Sequence, residues 1–180
     1  MSGHSHWAGI KHKKEITDHK KGKVFSKLLA AVSAAARTES NPDFNPRLRT
    51  AIEKARAASV PQENIERAVK RATESGMALE ELTFEAYGPG GAALLIEAIS
   101  DNKNRAVQEV KIILKEHGGK WAEAGSVRWA FQSSTTGAAG HWEAKFPQAL
   151  GGDDRQRLDA LVAALEENDD VQRVVTNAAL

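Results

Sequence analysis

Within the first 23 residues lie six lysines, Lys11, Lys13, Lys14, Lys20, Lys21 and Lys23, together with Trp7 and four histidines, His4, His6, His12 and His19. Ammonium groups at this density do one kind of chemistry without fixed geometry: they neutralise phosphates and release the counterions condensed on a nucleic acid. Lys11, His12, Lys13, Lys14, Lys20, Lys21 and Lys23 are therefore the leading candidates for phosphate contact. Trp7 fits two roles, a ring stacked on an unpaired base or a hydrophobic anchor folded against the body of the protein. The histidines have no thiol beside them, and no metal site is expected.

Further along, Arg67, Lys70 and Arg71 share one helical face by their i, i+3 and i+4 spacing. With Arg47 and Arg49 they either continue the same basic surface or form ordinary helix ion pairs with Glu53, Glu63 and Glu66. Residues 1–78 hold 15 Lys and Arg against 8 Asp and Glu, net +7, while residues 79–180 hold 10 against 16, net −6. A basic part facing a polyanion beside an acidic part facing a protein or only water is the simplest account.

Other chemistries find no residues. The chain has no cysteine, which removes disulfides, thiolate metal sites and cysteine nucleophiles together. Gly88, Pro89, Gly90 and Gly91 lack the Lys-Ser/Thr of a phosphate loop and precede a strand instead of opening a helix, so they read as a tight turn. No nucleophile, base and orienting acid form a defensible set. The expectation is a protein that is not an enzyme, with no cofactor and no small-molecule substrate. No apolar run approaches the roughly 20 residues of a membrane span, and a cytoplasmic location is the default.

Hydrophobic periodicity supplies the elements that must position these cations. Residues 1–23 show almost no apolar period and read as a mobile basic arm. Phe25, Leu28, Leu29, Val32 and Ala36 then repeat at helical spacing, predicting a helix over 23–38. Asn45 before Pro46 is an N-cap followed by a first-turn proline, opening a second helix with Leu48, Ala51, Ile52 and Ala55 inward. Pro61 precedes a third, with Ile65, Ala68, Val69 and Ala72 as its stripe. Behind this three-helix bundle the order from Ala92 is β-α-β-β-α-β, with strands at 92–99, 126–131, 140–146 and 171–175 and helical stripes at Val107, Val110, Ile113, Leu114 and at Leu158, Leu161, Val162, Leu165. The class is α+β: a helical bundle with a basic arm over 1–78, then a ferredoxin-like domain over 79–180 carrying the Thr83 strand as an added edge.

The opening Gly3 to Lys14 (GHSHWAGIKHKK) closely resembles the start of the YebC/PmpR family. Three further stretches are similar to that family in the same order: Asn45 to Ala55, Asn64 to Ala68, and Tyr87 to Gly91 with Asp101 to Arg105. The end of the chain, Asn168 to Val174 with Asn177, looks like the family's end. The resemblance implies a helical first domain, α/β parts behind it, and a role in gene expression, either as DNA-binding transcriptional regulators or, as in the mitochondrial translational activators, at the ribosome. The expected partners are DNA or ribosomal RNA, and a ribosome or another protein through the acidic half; the alternative is a protein-docking module in which the arm only adds charge. One departure stands out. The family inserts a second α/β domain between the strand ending near Phe131 and the segment from His141, where only residues 132–140 stand here, so that domain is expected to be absent.

Overall fold

The computed structural model describes residues 4–74, 79–133 and 142–179, with the side chains of residues 4–19 outside the description. Helix α1 runs from His4 to Ala36 over 33 residues. The mobile arm expected over residues 1–23 is thus corrected: from His4 onward its backbone is helix, continuous with the apolar stretch behind it. The physical reason is propensity. The six lysines and Glu15 are good helix formers, no proline intervenes, and the isolated glycines Gly9 and Gly22 each cost only about 1 kcal/mol.

Helix α2 (Pro46–Ala57) begins as its sequence foretells. Asn45 accepts from the Leu48 N–H at 3.0 Å, and its own amide donates to the carbonyls of Ala35 at 2.8 Å and Glu39 at 2.7 Å. One buried side chain therefore starts α2 and ties it to the end of α1. Helix α3 (Gln62–Glu74) packs along α1, where the Ser33 hydroxyl donates to the Ala68 carbonyl at 3.0 Å. Val32, Ala36, Leu48, Ala55, Val60 and Ile65 close the core of this bundle.

Beyond it lie strand β1 (Glu80–Tyr87), a short 3-10 turn Pro89–Gly91, β2 (Ala93–Ser100), helix α4 (Lys103–Glu116), β3 (Lys120–Ala122), β4 (Phe131–Ser133), β5 (Trp142–Ala144), helix α5 (Gly152–Glu167) and β6 (Val171–Thr176). The turn needs its glycines, since Gly90 and Gly91 have φ of 68° and 77°. The fold is α+β, helices first and a β/α part behind them. Four strands form one sheet in the order β3-β1-β2-β6, every neighbouring pair antiparallel. Strands β2 and β3 are therefore parallel, joined through α4 with β1 between them, which is the split crossover of a ferredoxin-like sheet.

The strand assignments differ from expectation in three ways. The strand containing Thr83 lies inside the sheet and not at its edge, paired on both sides, because Phe84, Glu85 and Ala86 are all buried. The edge position belongs to Lys120–Ala122. The segments around 126–131 and 140–146 leave the sheet altogether and pair with each other as the separate hairpin β4-β5. The cause is Glu85. Its buried carboxylate accepts the N–H groups of Gly125 and Val127 at 2.7 Å and of Arg128 at 3.2 Å, curling the chain into a 3-10 turn at Arg128–Ala130 where alternation suggested a strand.

Helices α4 and α5 cover one face of the sheet, with Val110, Leu114, Leu158, Leu161 and Leu165 against Leu94, Ile96 and Ala98. The hairpin covers the other, where Val127, Ala130 and Phe131 meet Ala93, Leu95 and Val175. Among the described residues no helix is long and apolar enough to cross a membrane.

Candidate nucleic-acid interface

Helical periodicity decides which cations meet. Leu29, Ala30 and Ser33 lie on one face of α1, with Arg37 directly after its last residue, and Asn64, Arg67, Ala68, Arg71 and Ala72 lie on one face of α3. Packing these faces together encloses a cleft of about 380 Å³, completed by Leu79. Three guanidinium groups, from Arg37, Arg67 and Arg71, thus border one depression. All three residues are exposed, while Leu29, Ala30, Ala72 and Leu79 are half-buried beneath them. Arg37 is held in place by donating to the Leu79 carbonyl at 2.6 Å. Guanidinium keeps its charge throughout the accessible pH range and presents a fork of donors suited to phosphate oxygens.

The remaining candidates divide by what holds them. Trp7, Lys11, His12, Lys13 and Lys14 lie on α1, with side chains outside the described residues. Lys20 and Lys21 are exposed, and the Lys21 ammonium stands 5.5 Å from the centre of the Phe25 ring. Lys70 is exposed, 3.8 Å from Glu74. Arg49 donates to the carbonyls of Pro42 at 3.2 Å and Asp43 at 3.1 Å, which ties down the loop before α2. Arg47 pairs with Glu81 at 2.5 Å, joining α2 to β1.

Lys23 also has an internal partner. Its Nζ donates to the Glu167 carbonyl at 2.6 Å and to that residue's carboxylate at 3.1 Å, with Asp169 at 3.6 Å. The hydrogen bond to Glu167 holds the ammonium above its ordinary range and the Glu167 carboxyl below its own. Lys27 donates to the Glu166 carbonyl, and its pKa is lowered by burial and by neighbouring Lys23. Two lysines of α1 therefore satisfy carbonyls at the C-terminus of α5, where the helix dipole is negative. Beside them Arg105 bridges Asp101 at 2.9 Å and Asp170 at 3.0 Å.

Sequence reasoning did not single out Arg37, although its spacing from Leu29 and Ser33 puts it on the cleft face. Nor did it find the exposed ring pair Trp129 and Phe146, whose centroids are 5.8 Å apart on the hairpin side. Among the described residues no group of three or more His, Cys, Asp and Glu could hold a metal ion.

An α+β chain whose first helices present an arginine-bordered cleft, followed by a split β-α-β sheet, defines the class of protein. The chain belongs to the TACO1/YebC family. Residues 5–75 match the TACO1/YebC protein N-terminal domain, and residues 79–141 match the TACO1/YebC second and third domain. A relative from Dictyoglomus turgidum, named "Probable transcriptional regulatory protein", is 45% identical over 98% of this chain and 71% of its own length. A relative of the same name from Chloroherpeton thalassium is 55% identical over 73% of this chain, and that match spans 54% of the relative. The crystal structure of a conserved hypothetical protein from Aquifex aeolicus superposes with a TM-score of 0.82 at 33% identity, covering 97% of both chains.

Proposed function

We propose that this protein is a nucleic-acid-binding regulator of gene expression whose contact surface is the cationic face formed by α1 and α3. The observation that carries this reading is the convergence of Arg37, Arg67 and Arg71 on one cleft of a helical region with net charge +7. Ion pairs internal to the fold occupy Lys23 and Arg47; Arg37, Arg67 and Arg71 at the cleft, with the exposed Lys20, Lys21 and Lys70 on the same two helices, are the proposed phosphate contacts. The regulatory names of relatives at 45–55% identity agree with this reading. In this reading the protein acts by binding and not by catalysis.

The test is fluorescence anisotropy with labelled DNA and RNA over a range of salt. Log K falls linearly with log[salt], with a slope of roughly 0.7–0.9 per phosphate neutralised. Replacing Lys20, Lys21 and Lys70 by Gln lowers both the affinity and the slope without moving the melting temperature appreciably. Absence of binding at low salt overturns the reading.

A further inference from the structure

A surface that only neutralises phosphates needs no hollow, yet these arginines border one. Its floor is hydrocarbon: Leu29, Ala30, Ala68, Ala72 and Leu79. Hydrocarbon offers nothing to a phosphate and a good deal to the face of a nucleobase, whose burial and stacking are favourable whatever its sequence. Polar groups for a base edge stand among them, since Asn64 carries an amide and the Ser33 oxygen retains acceptor capacity after donating to Ala68 at 3.0 Å. The volume, about 380 Å³, lies at the small end of ligand pockets. It has room for one base with its sugar-phosphate and none for a helix about 10–12 Å across.

We propose that the cleft between α1 and α3 receives a single nucleotide of an unpaired strand, its base on the apolar floor and its phosphate between Arg37, Arg67 and Arg71. This rests on the nucleic-acid reading above and adds to it a choice of strand. A base inside a duplex is stacked and paired, and extracting it costs a few kcal/mol. An unpaired nucleotide enters without that cost. The protein therefore selects single-stranded segments, loops or ends over duplex, through a contact open to DNA and RNA alike.

The experiment measures the affinity of the full chain for a labelled single strand, as DNA and as RNA, and for the duplex of the same sequence. Two cleft-filling variants on opposite walls, Ala30→Leu and Ala72→Leu, add volume without changing charge, and leucine keeps the helix propensity of both positions high. The unchanged chain prefers the single strand, and each filled variant loses about tenfold of that affinity while binding duplex as before. Arg67→Gln weakens both forms. Circular dichroism melts confirm that the variants are folded, and either filled variant alone suffices. Binding of single strands that survives both fillings, or a chain that prefers duplex, overturns the pocket and leaves the general reading standing. A chain that binds neither form refutes the general reading itself.

Discussion

Lys23 and Glu167, 144 residues apart, meet through the Lys23 Nζ, which lies 2.6 Å from the Glu167 carbonyl oxygen and 3.1 Å from its carboxylate. The contact joins the middle of α1 to the last turn of α5. It belongs to the fold's own wiring, although Lys23 sits in a lysine run that reads as ligand-binding.

The pair has a definite pH signature. The Glu167 carboxyl is depressed below its ordinary 4.5 by the hydrogen bond from Lys23, so its stabilisation is present above that value and is lost as pH falls through the folded pKa. Lys23 is raised above 10.5, so its share is present below that value and lost as pH rises through the folded pKa. Glu167→Gln therefore lowers the melting temperature slightly at pH 7, and by progressively less as the pH falls below the ordinary carboxylate value, as thermal melts over a pH series show.

Glu97 on β2 has the opposite sense. Burial raises its pKa above 4.5, with Arg173 acting against the shift. A carboxyl whose folded pKa is raised favours the folded state when protonated, and that advantage disappears as pH rises through the folded value. Glu97→Gln therefore stabilises the protein at pH 7 relative to its effect at pH 4. Urea unfolding at both pH values checks the difference, and a variant less stable at pH 7 than at pH 4, relative to the parent, contradicts it.

Asn45 makes three hydrogen bonds from a side chain only 8% exposed. Asn45→Ala removes the cap of α2 and leaves two carbonyls without donors, a loss of about 1–3 kcal/mol in denaturant unfolding. Asn45→Asp restores the cap acceptor but not the donors, and recovers only part of the loss.

Glu85 accepts three backbone N–H groups. In Glu85→Ala those donors have no acceptor and the turn at 125–128 loosens, costing about 1–3 kcal/mol. The Trp129 indole, which donates to the Ser126 carbonyl at 2.9 Å, loses its fixed orientation. Near-ultraviolet circular dichroism falls in the variant while far-ultraviolet helix signal is retained.

What could be read from the sequence follows from the range of the interactions responsible. Asn45 with Pro46 and the glycine turn at 88–91 are decided within four residues and are visible in order. The place of β1 is not local. Its first residues, Glu80 to Thr83, look like an edge, and only the pairing of Glu85 to Tyr87 with Ala122 to Lys120 makes the strand interior. The 3-10 turn at Arg128–Ala130 is equally hidden, since the acceptor that curls it lies 40–43 residues earlier. The basic face was legible as composition, whereas the cleft required knowing that α1 and α3 pack side by side. Lys23 and Arg47 were misleading for the same reason: their acidic partners are remote in the chain.

Strand β2 is buried on both faces, Leu94 and Ile96 serving the helix layer while Ala93 and Leu95 serve the hairpin layer. Two cores thus share one wall a single backbone thick. Neither the hairpin nor the helices can open locally without exposing the strand that completes the other, so the four-stranded sheet and the two layers packed on it are expected to unfold together. The amides of β2 then exchange with solvent only through that whole-unit event, as slowly as any in the protein, even though the β4-β5 hairpin on one side of them is only three residue pairs long.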